Sequence, residues 1–212
     1  MNGSCVPGFF VVVEGPEGAG KSTLVSALAT RLRAEGVEPV VVREPGGTPV
    51  AEALRSAMLD GDHLTPEREL LYAVTARADL VARVIQPALA AGRLVLSDRY
   101  DLSTRAYQGA GRGIGPDHLE WVNHAATGGL HPDLTLVLDL HAPVGRDRQL
   151  SAGKTGDRLD RESEDFHARV VEFYRNAEGA GLIHVDGTES PEAVLEAAWS
   201  ALCAARRSGE AQ

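Results

Sequence analysis

The sequence predicts an α/β fold, a parallel sheet covered by helices on both faces. Three observations carry this prediction. Short apolar, β-branched runs alternate along the chain with longer segments of helical period. The first run, Phe9 to Glu14 (FFVVVE), is apolar at successive positions, as a strand buried on both faces must be. The length of 212 residues, with 43% hydrophobic and 24% charged residues, fits one ordinary globular domain spanning 1–212.

The elements follow in order. Lys21 to Ala34 places Leu24, Leu28 and Leu32 at four-residue spacing, the apolar stripe of a helix. Pro39 to Arg43 (PVVVR) reads as the second strand. Val50 to Leu59 reads as a helix, as does the long stretch Pro66 to Ala91, with a kink expected at Pro87. Arg93 to Ser97 (RLVLS) is the third strand, ending at Asp98. A helical stretch follows, which the glycines from Gly109 to Gly115 should break. Trp121 lies on a further helix and is expected in the core or at a subunit contact. Leu134 to Leu140 is the fourth strand, Phe166 to Glu178 a helix, and Leu182 to Val185 the fifth strand. Pro191 to Arg206 closes the chain as a helix, with Ser190 as its N-cap.

The net charge of −9 argues against a polynucleotide partner, whose backbone an acidic surface repels. Lys and Arg are instead scattered near candidate phosphate sites, as for a small anionic ligand. Cys5 and Cys203 are too far apart in sequence to suggest a disulfide framework, and no Cys/His spacing suggests zinc. No run has the length of a membrane span and no segment reads as a signal peptide, so a cytoplasmic location is expected.

Gly15-Pro16-Glu17-Gly18-Ala19-Gly20-Lys21-Ser22, followed by Thr23, matches G-x-x-x-x-G-K-[ST] between a strand and a helix. Glycines let successive backbone N–H groups turn inward onto phosphate oxygens, and the helix N-terminus adds partial positive charge. Lys21 is placed to reach the β and γ phosphates, and the Ser22 hydroxyl to ligate Mg²⁺. The motif predicts ATP-type binding without naming the reaction. The N-K-x-D signature of guanine readers is absent.

Three more stretches bear on the acceptor. They are Arg43-Glu44-Pro45-Gly46-Gly47-Thr48, the run from Asp98 to Gly113 (DRYDLSTRAYQGAGRG), and Asp157-Arg158-Leu159-Asp160. With the phosphate loop, they resemble the bacterial thymidylate kinases from about Phe9 to Trp199. The resemblance implies a P-loop nucleoside monophosphate kinase fold, with a five-stranded parallel sheet and a lid at about 146–161. It implies transfer from ATP, with Mg²⁺, to dTMP, and a homodimer. Lys21 and Arg99 would then hold the transferred and accepting phosphates, and Asp98 would help organise Mg²⁺ with Ser22. Glu17 would meet the acceptor sugar and Arg55 its phosphate. Arg77 and Thr104 would meet the thymine edge, with Gln108 beside them, and Tyr107 would crowd the sugar 2′ position. Because Gly18 stands where some members have a P-loop arginine, the lid would supply charge from Arg146, Arg148, Lys154 and Arg158. Asp98-Arg99 alone could equally be a surface ion pair, and Arg77 a solvated helix charge. Glu44 has no assigned role.

Two departures from the family pattern stand out. Ala73 occupies the position of a phenylalanine that stacks on thymine, with Tyr72 pointing about 100° away. Ala152 replaces an expected lid arginine, which Lys154 replaces only as a point charge. The Ala73 gap predicts weak dTMP binding, improved by Ala73→Phe. A paralogue acting on another pyrimidine monophosphate, or a non-catalytic nucleotide-binding regulator, remains an alternative.

Overall fold

A computed structural model describes residues 8–60, 64–140 and 157–209. Five strands form one parallel sheet in the order β2-β3-β1-β4-β5. They are β1 (Phe9–Glu14), β2 (Val40–Arg43), β3 (Leu94–Asp98), β4 (Leu134–Asp139) and β5 (Leu182–Asp186). Side chains alternate across a strand, so β1 serves two cores. Val11 and Val13 pack with Leu24, Leu28 and Leu32 of α1 (Lys21–Ala34) and with Ala198 and Leu202 of the C-terminal helix. Phe10 and Val12 face the other way, onto Leu80, Val81 and Ile85. Both halves of FFVVVE are therefore buried, which is why the run shows no polar alternation.

α2 (Pro49–Leu59) and α3 (Pro66–Leu80) each begin with proline after a threonine N-cap, Thr48 accepting from the Ala51 amide and Thr65 from the Arg68 amide. The kink expected at Pro87 takes another form. The helix from Pro66 runs through a π-helical turn, Val81–Ile85, into α4 (Gln86–Ala90). Pro87 has no N–H and its ring crowds the carbonyl four residues back, and the widened turn lies directly ahead of it.

The next helix also departs from expectation. α5 (Asp101–Thr104) continues as a second π-helical segment, Arg105–Gly111, so Gly109 and Gly111 lie inside the helix, and the expected break falls after them at 112–115, with Gly113 and Gly115. A side chain at Gly111 would overlap the Phe166 ring, so only glycine fits this close approach. α6 (Pro116–Thr127) carries Trp121, which is 71% exposed and so lies outside the core. α7 (Glu164–Arg175) has Ser163 as its N-cap, and α8 (Pro191–Gly209) begins after Ser190, whose hydroxyl accepts from the Ala193 amide.

The far edge of the sheet holds a pH-sensitive tie. His184 on β5 has Nδ1 at 2.8 Å from Asp139 Oδ1 and Nε2 at 2.8 Å from the Ala177 carbonyl. Burial pulls the ring's pKa down, but the Ala177 carbonyl and Asp139 outweigh it and raise it above its usual value. Two acceptors on two ring nitrogens select the imidazolium. Its contribution is complete below the unfolded pKa and is lost as pH rises through the folded one. His184→Gln is expected to lower Tm at pH 6 and to have a smaller effect at pH 8.5. Equal Tm shifts at both pH values would contradict this.

Candidate active site

The phosphate loop leaves β1 and the Asp98-Arg99 turn leaves β3, its parallel neighbour. The register pairs Val13 with Asp98 and Asp98 with Arg43, so all three strands deliver their carboxyl ends to one place. Open α/β sheets bind ligands at such ends. A cleft of about 850 Å³ opens there, lined by residues from Glu17 to Thr23 and by Asp98, Arg99 and Arg55. Its far end is walled by Ala27, Gly187, Pro191 and Val194.

Lys21 is buried, and its Nζ donates to the carbonyls of Gly15 (3.0 Å) and Pro16 (2.7 Å). Burial, reinforced by Arg99, lowers its pKa to about 8 despite the opposing pull of Glu17 and Asp98. Ser22 Oγ donates to Asp98 Oδ2 at 2.6 Å. This hydroxyl and carboxylate are hard oxygen donors of the kind Mg²⁺ takes, alongside water and nucleotide phosphate. Among the described residues, no group of three or more His, Cys, Asp or Glu is placed to hold a metal ion by itself.

A second, smaller pocket adjoins the first. Glu17, Glu44, Arg55, Arg99 and Asp157 line both, so the two cavities meet at two guanidiniums and three carboxylates. Its inner wall carries Ala73, Arg77, Thr104, Tyr107 and Gln108. The last three lie at i, i+3 and i+4 along the α5–π helix and so share one face. Arg99 holds the junction. Its NH1 donates to Gly15 O (3.3 Å), Ser103 Oγ (3.1 Å) and Tyr174 Oη (3.3 Å), and its NH2 to Tyr107 Oη (3.1 Å) and Glu17. Arg55 donates to the Pro45 carbonyl at 2.9 Å and faces both cavities.

Arg77 is not a solvated helix charge, because it is 3% exposed. Nε donates to Glu44 Oε2 (2.7 Å), NH1 to Thr104 Oγ1 (3.0 Å) and Asn123 Oδ1, and NH2 to the Tyr100 carbonyl (2.9 Å). Its fork is thus largely occupied by protein before any ligand arrives. Burial pushes Glu44 up to about 7 against the pull of Arg77. Glu44 Oε1 is buried without a hydrogen-bond partner.

Arg158 stands away from the phosphate loop. Its Nε donates to the Met58 carbonyl (3.1 Å) and its NH2 to Glu69 Oε2 (2.6 Å). Glu69 is fully buried and also receives Gln108 Nε2 (2.7 Å) and Arg112 NH2 (2.9 Å). In this arrangement Arg158 ties the chain to α3, while its neighbours Asp157 and Leu159 face the pockets. The other candidate lid residues, Arg146, Arg148 and Lys154, lie outside the described residues.

Sequence reasoning missed Glu14, Glu69, Asn123 and Tyr174. Glu14 carried one signal, a carboxylate ending an otherwise apolar strand. Glu69 resembled an ordinary first-turn helix acid, and its partners come from segments 39 and 89 residues away.

A strand-borne phosphate loop whose cleft meets a second, polar pocket at Arg55 and Arg99 has the architecture of a P-loop nucleoside monophosphate kinase. Comparison with known proteins gives the family. The thymidylate kinase family model matches residues 13–198. The chain is 46% identical over 194 residues to a thymidylate kinase of Synechococcus sp., covering 90% of this chain and 93% of that protein. It is 45% identical to one from Thermomicrobium roseum (95% and 97% covered) and 47% identical to one from Cereibacter sphaeroides (92% and 94%). The chain belongs to the thymidylate kinase family.

Proposed function

We propose that this chain transfers the γ-phosphoryl group of ATP to dTMP, giving ADP and dTDP. The observation that carries this is the junction at Arg99, where the phosphate-loop cleft meets a second pocket lined by Arg77, Thr104, Tyr107 and Gln108. Transfer between two polyanions needs positive charge fixed where oxygens gain it, and little covalent chemistry from the protein. Lys21 serves the donor phosphates, Arg99 and Arg55 the acceptor phosphate, and Thr104 and Gln108 the base edge. Arg77 lines the same pocket and acts through Thr104, to whose hydroxyl it donates. Glu17 and Tyr107 hold Arg99 and border the sugar. Ser22 and Asp98 would hold Mg²⁺, which would supply charge neutralisation to the donor phosphates. The segment 146–161 serves as the lid, and the enzyme works in the cytoplasm.

The acceptor wall changes one expectation. Met58, Leu59 and Leu159 share the small pocket with Ala73 and belong with it to one buried cluster. A phenylalanine at 73 would have to share the small pocket with these aliphatic side chains, and Ala73→Phe is expected to crowd it. In a coupled assay over dTMP, dUMP, dCMP and 5-hydroxymethyl-dUMP, the wild type is expected to give its highest kcat/KM with dTMP. Ala73→Phe is expected to lower that value several-fold. No turnover of dTMP with good turnover of another monophosphate would refute the acceptor assignment.

We also read the enzyme as a homodimer joined through α3 and α6. Leu71 on α3 is 56% exposed and Trp121 on α6 is 71% exposed, on helices that pack together. Trp121→Glu is expected to shift the mass measured by light scattering from dimer to monomer. An unchanged mass would place the interface elsewhere.

A further inference from the structure

Arg99 is the one non-glycine residue at positive φ (77°) among the described residues. That conformation is strained for an L-residue and persists only where its surroundings fix it. Its amide donates to Val13 O (3.0 Å) and its carbonyl accepts from Ser97 Oγ (2.7 Å). These contacts hold the peptide units on both sides of its Cα. The next amide, that of Tyr100, points instead at a carboxylate on β1.

That carboxylate is Glu14, which is fully buried. Oε1 accepts from the amides of Tyr100 (2.7 Å) and Ser103 (3.1 Å). Oε2 accepts from Ser103 Oγ (2.7 Å) and Tyr174 Oη (2.9 Å). Tyr100 occupies the N-cap position of α5 and makes no side-chain cap of its own. Glu14 therefore caps α5 from a neighbouring strand, satisfying N–H groups a cap residue would normally take. Its carboxyl group also lies at the positive end of the helix and close to Arg99. Burial raises its pKa, while Arg99 and the surrounding donors favour the carboxylate.

The reversal at Arg99 sends its guanidinium back across the strand ends to Gly15 O, Glu17 and Tyr107. We infer that Glu14 is a positioning residue for phosphoryl transfer: it locks the left-handed turn that aims Arg99 at the acceptor phosphate. This rests on the proposed role of Arg99. Tyr174 extends the lock to α7, since its hydroxyl touches Glu14, Ser103 and Arg99 together.

The test measures kcat and both KM values for Glu14→Gln, Tyr174→Phe, Arg99→Met and the two double variants with Arg99→Met. Each rate is normalised to protein that binds a fluorescent ADP analogue, so that unfolded enzyme does not count. Glu14→Gln keeps the shape but replaces an oxygen by an N–H donor facing other donors. Misplacing a reacting-site group by about 1 Å costs on the order of 100-fold, so a kcat loss of roughly 10- to 100-fold is expected, with KM for ATP within about twofold. Tyr174→Phe, which preserves the packed ring, should show a loss of the same kind but smaller. In the Arg99→Met background neither change should lower kcat further, because their route of action is gone. A role in stability alone would lower Tm and leave the normalised kcat intact. The inference is overturned if Glu14→Gln, or Tyr174→Phe should Glu14→Gln not fold, turns over within twofold of wild type while Arg99→Met is crippled. It is equally overturned if the losses multiply in full with Arg99→Met. Arg99→Met with wild-type kinetics would instead remove the role proposed for Arg99, and the reason for the lock with it.

Discussion

Lys21→Ala is expected to lower kcat by about 100-fold or more, since removal of one preorganised donor from a site of developing charge commonly costs that much. The structure explains why the loss should fall on chemistry. Lys21 is buried at the foot of the phosphate loop, with its ammonium held by two backbone carbonyls and pointing into the donor cleft. Burial and Arg99 have already lowered its pKa to about 8, so the empty enzyme bears an electrostatic cost for keeping it charged. Incoming phosphates relieve that cost and raise the pKa again. The variant therefore loses transition-state stabilisation without losing a net stabilising contact, and its Tm should stay at or above that of the wild type. A variant with near wild-type kcat would show that the loop does not carry the catalysis. One that loses activity only through a lower Tm would show that the lysine serves the fold.

Arg77→Met is expected to have the largest effect on stability. Removing one partner of a buried ion pair typically costs about 3–5 kcal/mol, because the remaining charge is stranded. Here Glu44 would be stranded, with Oε1 already lacking a partner, and Thr104, Asn123 and the Tyr100 carbonyl would each lose a donor. The effect should depend on pH. Burial already pushes Glu44 up to about 7, above its unfolded value, so it favours the fold most below the unfolded pKa and loses that contribution as pH rises through the folded one. Without Arg77 the folded pKa rises further. The stability deficit of the variant, from urea unfolding, should then be smaller at pH 5 than at pH 8. Adding Glu44→Gln should recover part of the loss at pH 8. A deficit under 1 kcal/mol, or one independent of pH and of Glu44→Gln, would contradict this reading.

The two networks show where sequence reading succeeds and where it stops. The order of strands and helices was legible because burial on both faces leaves uninterrupted apolar runs, and FFVVVE, RLVLS and LTLVLDL all became central strands. The phosphate loop was legible because its chemistry is local, with glycines, lysine and serine within eight residues. Thr104, Tyr107 and Gln108 were placed by the family resemblance, but not the π-helical segment that carries two of them. An α- and a π-turn share the same apolar pattern and differ in hydrogen-bond register. Arg77 was flagged without its four protein contacts, which come from Glu44, Tyr100, Thr104 and Asn123, 23 to 46 residues away. Glu14 and Glu69 were missed for the same reason. A buried carboxylate is legible only once its donors are known, and those of Glu14 lie 86 to 160 residues along the chain. The sequence also aligned Arg158 with catalytic lid residues, while Glu69 and the Met58 carbonyl fix it beside α3. Ala73 suggested a gap in the base pocket, and the identity of the side chains around it, Met58, Leu59 and Leu159, was not legible.

The central claim is that the two pockets meeting at Arg99 are donor and acceptor sites of one transfer. Its most direct test follows nucleotides by phosphorus NMR after mixing enzyme, ATP, Mg²⁺ and dTMP. The account predicts that ADP and dTDP form in equal amounts, that ATP is stable without dTMP, and that Arg99→Met suppresses dTDP and ADP together. ATP hydrolysed at the same rate with or without dTMP, and no dTDP formed, would contradict it.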